Sequence, residues 1–367
     1  MTYENPKLVI ESSQLEAGAV RWRSPSNIAL VKYWGKHGDQ LAKNPSVSFT
    51  LDAAATDTTL HYQVKTTPND AIHLELYLDG KRRVDFEERT KSYFKRLLPI
   101  YPFLSQLEFK IDTSNSFPHS AGIASSASGM SALALCLVDL EDRIFGGLES
   151  VKMDMQKASY LSRLGSGSAC RSVYGHAALW GTLGDVVDSH EEYAISVADL
   201  LHESFQGFHD DILIISAGEK SVSSRAGHGL MDTNHYADLR YGQAKRRCLE
   251  MVQVLKSGDL ERFGEILESE ALTLHALMMA SSPPYLLLEP NTISAIKHIQ
   301  QWRSETKHPL YFTLDAGPNL HLLYPKSIEV VVRSFVREQL LTYCRDGQYI
   351  ADRMGDGPKK LDVSDAA

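Results

Sequence analysis

The sequence has few cysteines and no long hydrophobic run, and each absence excludes a class of protein. Its four cysteines, Cys136, Cys170, Cys248 and Cys344, are scattered without the spacing of metal ligands. No apolar run is long enough to span a bilayer. The N-terminus lacks a basic region followed by an apolar stretch, which is the pattern of a signal peptide. We therefore expect no membrane partner and a reducing, cytoplasmic location.

An excess of positive charge is also absent. Lysine and arginine number 38 against 46 aspartates and glutamates, so the formal net charge is −8. This balance argues against general nucleic-acid binding, although it permits a local basic pocket. The hydrophobic content of 43% is ordinary for a globular protein. A length of 367 residues predicts two domains or one large domain.

The lysine-bearing phosphate loop G-x-x-x-x-G-K-[ST] does not occur, but residues 114–140 offer another way to hold phosphate. An alternating segment at 107–112 predicts a strand, and an apolar run at 130–140 predicts a buried helix. The loop between them contains Pro118, Gly122, Ser125, Ser126 and Ser128. Free N–H groups at a helix start attract anions. The alternative is an ordinary serine-capped helix.

Three further stretches carry candidate chemistry. Residues 32–36, KYWGK, group two lysines and two aromatics around a glycine, as either a solvated hairpin edge or an anion pocket. Residues 165–172, GSGSACRS, offer Arg171 either to an anion or to a surface ion pair. Asp315 follows a predicted strand, where it either begins a turn or presents a carboxylate to a site.

The coarse pattern indicates an α+β protein. Strands are predicted at 46–52, 58–65, 72–78, 107–112, 174–181 and 210–218. Helices are predicted at 86–98, 150–164, 236–256, 259–279, 291–303 and 327–343. We predict an N-terminal domain at 1–187 with its phosphate loop at 114–129, a C-terminal α+β domain at 188–346, and a loosely held polar tail at 347–367.

Five motifs together resemble the diphosphomevalonate decarboxylase family of the GHMP small-molecule kinase superfamily. They are SNIALVKYWGK, FPHSAGIASSAS, GSGSACRS, VSSR and DAGPN, in the family's order between about residues 24 and 325. The resemblance implies a GHMP kinase-like two-domain fold, with mixed sheets packed against helices and an active site in the cleft between the domains. It also implies a homodimer.

The resemblance assigns roles to individual residues. It makes Asp315, Lys32 and Arg171 catalytic. The implied substrate-binding residues are Asn27, Tyr33, Lys36, Ser166, Ser168 and Arg225. The implied ATP-binding residues are Pro118, Gly122, Ser125, Ser126 and Ser128. Mg²⁺ is expected to bind together with ATP, with Ser128 as a candidate ligand and without a dedicated cluster of protein ligands.

The implied reaction is ATP-dependent decarboxylation of (R)-5-diphosphomevalonate to isopentenyl diphosphate, with release of ADP, phosphate and CO2. The alternatives are a kinase or decarboxylase of the same superfamily acting on mevalonate or 5-phosphomevalonate, and a non-catalytic binding protein. Three positions depart from the family pattern: NPSVS at 44–48, His119 and His176. They place local substrate and nucleotide contacts in question but remove no charged group.

Overall fold

The structure is a computed structural model, and it describes residues 3–11, 15–67, 69–117, 123, 125–146, 151–218 and 222–363. Its strands, in chain order, are β1 (Gly18–Ala29), β2 (Lys36–His37), β3 (Leu41–Ala42), β4 (Ser46–Val64), β5 (His73–Leu78), β6 (Lys81–Arg82), β7 (Leu107–Asn115), β8 (Ala177–Trp180), β9 (Ala194–Ser196), β10 (His209–Leu213), β11 (Tyr311–Thr313), β12 (Leu320–Tyr324), β13 (Tyr349–Ile350) and β14 (Lys359–Lys360). Its helices are α1 (Val84–Leu97), α2 (Ser125–Phe145), α3 (Val151–Gly165), α4 (Ser224–Gly229), α5 (Ala237–Ser257), α6 (Leu260–Met279), α7 (Pro290–Thr306) and α8 (Glu329–Phe335). Within the described ranges, no helix has the length and apolarity to cross a membrane.

Two sheets dominate the fold and confirm the α+β prediction. The larger has eight strands in the order β14-β1-β4-β7-β5-β6, with β8 beside β4 and β9 beside β8. Its β5–β7 pair is parallel, and its other pairs are antiparallel. The smaller sheet has the antiparallel order β11-β12-β10-β13. The candidate site lies where the ends of strands from the two sheets meet.

Strand β4 replaces the two strands predicted at 46–52 and 58–65. It runs unbroken for 19 residues because each part has its own neighbour. β8 pairs with residues 46–49, and β7 pairs with residues 56–64. Between them, the Asp352 carboxylate accepts the N–H groups of Asp52, Ala53 and Ala54 at 3.0, 2.7 and 2.7 Å. The prediction of two strands was therefore wrong.

Helix α2 is buried on nearly all sides, as its composition predicts. Residues 131–138 are all buried, so its apolar side chains face the sheet and α3 at once. The same core includes Leu60, Phe94, Phe109 and Leu161. This burial fixes the axis of α2 and therefore the place where its N-terminus opens, next to the end of β7.

In the C-terminal half, α5 and α6 form an antiparallel pair, and specific residues end the first helix and begin the second. Gly258 ends α5 with a left-handed backbone, φ 77°. Asp259 then caps α6 by accepting the Arg262 N–H at 3.0 Å. The predicted helix at 327–343 is less regular, because α8 continues through a π-helical stretch at Val336–Leu340.

The tail is the main departure from expectation. Strand β13 joins the smaller sheet beside β10, and β14 joins the larger sheet beside β1. The Asp352 side chain is buried between the two sheets. The prediction of a loosely held tail is therefore wrong for residues 347–363. The predicted boundary at 187/188 also falls between β8 and β9, which are paired strands of the same sheet.

Candidate active site

The centre of the site is an ion pair between residues 283 positions apart in sequence. Lys32 follows β1 of the larger sheet, and Asp315 follows β11 of the smaller one. Lys32 Nζ donates to Asp315 Oδ1 at 2.8 Å. The lysine side chain is 1% exposed, whereas the aspartate keeps 28% exposure. The carboxylate is therefore the more accessible member of the pair.

Charge and burial set the protonation of this pair. Burial alone acts to raise the pKa of Asp315, but the adjacent Lys32 ammonium outweighs it, helped by His321 and Arg171, and the pKa lies below its usual value. Burial lowers the pKa of Lys32, against the opposing effect of Asp315, Glu270 and Asp210. Asp315 is thus an ionised acceptor at neutral pH.

A buried network fixes the Lys32 backbone. Its N–H donates to Glu270 Oε2 at 2.9 Å, and its carbonyl accepts from Arg240 Nη2 at 2.9 Å and from Asn44 Nδ2 at 3.1 Å. Arg240 and Arg247 both pair with Glu270, which is fully buried. Isolated charged residues on long helices carry no sequence signal of such a role, and we did not predict it.

Arg171 is buried and does not form the surface ion pair considered above. It is 2% exposed. Its Nε donates to Ser48 Oγ at 3.0 Å and its Nη2 to Asn27 Oδ1 at 3.2 Å. Asn27 is in turn held by Ser172 Oγ, which lies 2.7 Å from Asn27 Nδ2. Among the described residues, Arg171 Nη1 is buried without a hydrogen-bond partner. A buried donor without a partner is costly, and an anion would relieve that cost.

Tyr33 lies between the centre of the site and a second basic region. Its ring centroid is 5.7 Å from the Arg171 guanidinium carbon. Burial raises the pKa of Tyr33 to about 12, so its hydroxyl stays protonated and can donate. The Gly167 backbone approaches this hydroxyl closely, since a Cβ there would lie 3.0 Å from the oxygen. This close approach explains the glycine in GSGSACRS.

The second basic region joins Lys36 with Arg225. Lys36 lies in β2 and its Nζ donates to Gln40 Oε1 at 2.6 Å. Arg225 lies exposed in α4 of the other half of the molecule. Burial and then the charge of Arg225 lower the pKa of Lys36 to about 8. The structure therefore brings together two like charges that the motifs placed far apart in sequence.

His228 is a member of this region that sequence reasoning missed. Its ring lies 4.9 Å from the Tyr33 ring and 4.3 Å from the Trp34 ring, measured between centroids. Its Nδ1 accepts the Gly35 N–H at 2.9 Å. Burial and then Lys36 lower its pKa to about 3, so the imidazole is neutral. A single histidine in a glycine-rich stretch gave no motif from which to predict this contact.

The two serine-bearing segments approach one another. Ser126 Oγ and Ser166 Oγ are 3.4 Å apart. Ser168 accepts from Asn27 Nδ2 through its carbonyl at 3.2 Å, and its side chain lies near the Tyr33 hydroxyl. The predicted phosphate loop and the predicted substrate loop therefore adjoin, as a reaction between two bound molecules requires.

The N-terminus of α2 is partly exposed to solvent. Ser126 is exposed, whereas Ser128 is buried, with its Oγ 2.6 Å from Thr56 Oγ1. No acidic residue lies in the first turn of α2 to oppose an anion. Pro118, His119 and Gly122 lie outside the described residues. Across the described ranges, no cluster of three or more His, Cys, Asp or Glu could hold a metal.

Two of the three departures from the family pattern, NPSVS and His176, lie among the described residues, and both make defined hydrogen bonds. In NPSVS, Asn44 holds the Lys32 carbonyl, Ser46 Oγ donates to the Val31 carbonyl at 2.6 Å, and Ser48 holds Arg171. His176 meets the tail: its N–H donates to the Gly355 carbonyl at 2.8 Å, and its carbonyl accepts from Thr50 N–H at 2.9 Å.

Comparisons with known proteins agree with this arrangement. Residues 24–191 match the model of the diphosphomevalonate decarboxylase-like N-terminal domain, and residues 211–359 match the mevalonate 5-diphosphate decarboxylase C-terminal domain. A diphosphomevalonate decarboxylase of Debaryomyces hansenii is 30% identical, over 83% of this chain and 79% of its own length. Another from Danio rerio is 31% identical, over 86% and 79%.

Solved structures give the same result and confirm the predicted fold. A mevalonate diphosphate decarboxylase from Staphylococcus aureus is 26% identical with a TM-score of 0.79, covering 95% of this chain and 99% of its own. One solved relative, in complex with MVAPP, AMPPCP and magnesium, is 27% identical with a TM-score of 0.78, covering 95% and 100%. By sequence and by fold, the chain belongs to the diphosphomevalonate decarboxylase family.

Proposed function

We propose that the chain catalyses the ATP-dependent decarboxylation of (R)-5-diphosphomevalonate to isopentenyl diphosphate. The observation that carries this proposal is the Lys32–Asp315 pair at 2.8 Å, with buried Arg171 near enough to help lower the pKa of Asp315. The relatives named diphosphomevalonate decarboxylase and the solved complex with MVAPP and AMPPCP support the choice of substrates.

Asp315 acts on the C3 hydroxyl of the substrate. Its carboxylate is ionised beside Lys32, so it orients the hydroxyl and accepts its proton as the oxygen attacks the γ-phosphorus of ATP. The C3–O bond then breaks and inorganic phosphate leaves. The departing phosphate takes up the proton from Asp315, so the carboxylate is negative again and stabilises the positive charge that develops at C3. Electrons of the bond to the carboxylate carbon form the new C=C bond, and CO2 departs.

Arg171 holds the substrate carboxylate through Nη1, the group without a hydrogen-bond partner among the described residues. Its other nitrogens are fixed by Asn27 and Ser48, so the guanidinium loses little freedom on binding. Holding the carboxylate until C3 is activated places the breaking bond in line with the cationic centre.

The second basic region binds the diphosphate. Lys36 and Arg225 supply two positive charges, and the protonated Tyr33 hydroxyl supplies a donor. Ser166 and Ser168 border the same pocket from the 165–172 segment. Separate groups for the carboxylate and for the diphosphate suit a substrate with an anion at each end.

ATP is placed with its phosphates at the start of α2. Ser125, Ser126 and the first-turn N–H groups would hold the phosphates, together with Pro118 and Gly122 of the preceding loop. Mg²⁺ fits this arrangement as an ion bound mainly by phosphate oxygens, since it commonly keeps few protein ligands. Bound there, it would neutralise charge on the transferred phosphoryl group; the predicted Ser128 ligand would have to act from its buried position beside Thr56.

The proposed function is tested by comparing the amounts of ADP and CO2 that the reaction releases. Purified protein is given ATP, Mg²⁺ and (R)-5-diphosphomevalonate, and ADP and CO2 are measured together. Equal yields are expected. ADP without CO2 would instead identify a kinase, and neither product would indicate a binding protein. Light scattering on the same sample tests the predicted homodimer. The four buried, unpaired cysteines agree with the proposed cytoplasmic location.

A further inference from the structure

His228 stands outside every motif of the sequence, yet it connects the two halves of the second basic region. It lies in α4, three residues after Arg225. It contacts the Tyr33–Trp34–Gly35 segment, which directly precedes Lys36. Its side chain is 7% exposed. A polar ring buried so deeply against another segment restricts how that segment can move.

The geometry of the contact is specific. The imidazole lies 26° from parallel to the Tyr33 ring and 31° from parallel to the Trp34 ring. Its Nδ1 accepts the Gly35 N–H at 2.9 Å, so the neutral ring carries its proton on Nε2. Gly35 has φ 101°, a backbone conformation that other residues rarely adopt. The turn before Lys36 thus depends both on the glycine and on an acceptor for its N–H.

Electrostatic repulsion explains why a contact between α4 and the segment before Lys36 is needed. Lys36 and Arg225 repel one another, and this repulsion adds to the larger effect of burial in lowering the pKa of Lys36. Without a ligand, two like charges on a short hairpin and a short helix would tend to separate. A fixed connection between the segments must not itself be a cation, because a third positive charge would add to the repulsion. A neutral imidazole meets this requirement.

We propose that His228 is a positioning residue that holds Lys36 and Arg225 at the spacing of a diphosphate, and so favours diphosphorylated over monophosphorylated substrates. The inference rests on the proposed function, in which these two cations bind the diphosphate. His228 does not touch the reacting atoms. It acts through the Gly35 N–H and through the stacked rings of Tyr33 and Trp34.

A matched pair of variants separates the hydrogen bond from the stacking. His228→Phe keeps an aromatic ring between Tyr33 and Trp34 but removes the acceptor. His228→Asn keeps a neutral acceptor close to the position of Nδ1 but removes the ring. Exposed His235, seven residues further along the chain, provides a control through His235→Phe. Thermal unfolding and far-UV circular dichroism establish which variants are folded.

We expect His228→Phe to raise KM for 5-diphosphomevalonate by about threefold to tenfold, the equivalent of one neutral hydrogen bond. KM for ATP should not change, and kcat should fall less than kcat/KM. The preference for 5-diphosphomevalonate over 5-phosphomevalonate should narrow by the same factor. His228→Asn should recover most of the loss. Hydrogen exchange of the Gly35 amide should be faster in the Phe variant and near normal in the Asn variant.

The controls distinguish the possible failures. If the wild-type protein neither binds 5-diphosphomevalonate in a calorimeter nor turns it over, the proposed function is wrong. If the wild type does both and folded His228→Phe has the wild-type KM and the wild-type preference, the role of His228 is wrong. Equal defects in the Phe and Asn variants would also overturn it, because the hydrogen bond would then not be the cause.

Discussion

Two pairs of charged residues in this molecule differ in the sign of their charges and in their surroundings. Lys32 and Asp315 are opposite charges in direct contact, and a network that includes Glu270 surrounds the lysine. Lys36 and Arg225 are like charges on two different segments, and burial and then the charge of Arg225 lower the pKa of Lys36. The first pair is complete without a ligand. In the proposed function the second is completed by a diphosphate bound between its members. The difference then separates a pair that takes part in the reaction from a pair that binds the substrate.

The largest expected effect is on the first pair. Asp315→Asn keeps the shape of the side chain but removes the proton acceptor and the negative charge near C3. Turnover should fall by about 10² or more. KM for ATP should change little, since the start of α2 is untouched. Quenched-flow measurement of ADP checks this. A folded Asn variant with near-normal kcat would remove Asp315 from the mechanism.

The second pair should control substrate choice. Arg225→Ala removes one charge-assisted hydrogen bond, typically worth about 1.5–3 kcal/mol, from the diphosphate. We expect kcat/KM for 5-diphosphomevalonate to fall about tenfold to a hundredfold, with a smaller change for 5-phosphomevalonate. Exposed Arg262, on the surface of α6, gives a control through Arg262→Ala. An equal fall in kcat/KM for both substrates would show that Arg225 does not bind the second phosphate.

The two pairs should also respond differently to pH. Lys36, with its pKa lowered to about 8, is charged below that pH and loses its proton as the pH rises through it. Diphosphate binding should weaken accordingly, so kcat/KM should fall above about pH 8, by at most tenfold per pH unit. Bound substrate stabilises the charged form, so kcat should persist to higher pH. Lys36→Arg should remove the decline; an unchanged profile in that variant would assign the decline to another group.

The last comparison concerns stability, where the two pairs should differ in sign and the effect at the second pair should be small. Lys36→Gln removes repulsion, so the free energy of unfolding should stay the same or rise by less than about 1 kcal/mol. Lys32→Met breaks a buried opposite-charge pair, and its cost should reach about 3–5 kcal/mol if Asp315 stays charged. Urea unfolding at pH 7 measures both. A marked loss of stability in Lys36→Gln would mean that the second pair is structural.

The charged groups of the site could be predicted from sequence because short motifs identify them. Asp315, Lys32 and Arg171 lie in motifs whose residue types match their chemistry, and the structure gathers them. The alternative of a surface ion pair for Arg171 failed because its partners, Asn27 and Ser48, are more than 120 residues away in sequence. Nothing within its own segment indicated that it would be buried.

What could not be predicted depends on contacts between distant, individually ordinary residues. The polar, glycine-containing tail had the composition of a flexible end, yet the Asp352 carboxylate binds three backbone N–H groups of β4. Those same bonds keep β4 extended where Asp52 and three alanines interrupt its alternating pattern. One long-range interaction therefore accounts for two wrong predictions. His228 is a third case, since a lone histidine indicates no partner.

The return of the tail to the first sheet has a consequence for synthesis of the protein. A ribosome delivers β1 and β4 early, but their partners Asp352 and β14 come some 300 residues later. Until then, the N–H groups of residues 52–54 and part of the edge of β1 depend on water. The first half of the molecule is therefore expected to leave the ribosome with an incomplete sheet. Its unpaired strand edge could form hydrogen bonds with strands of other chains. The segment that completes the sheet is made long after the strands that it joins.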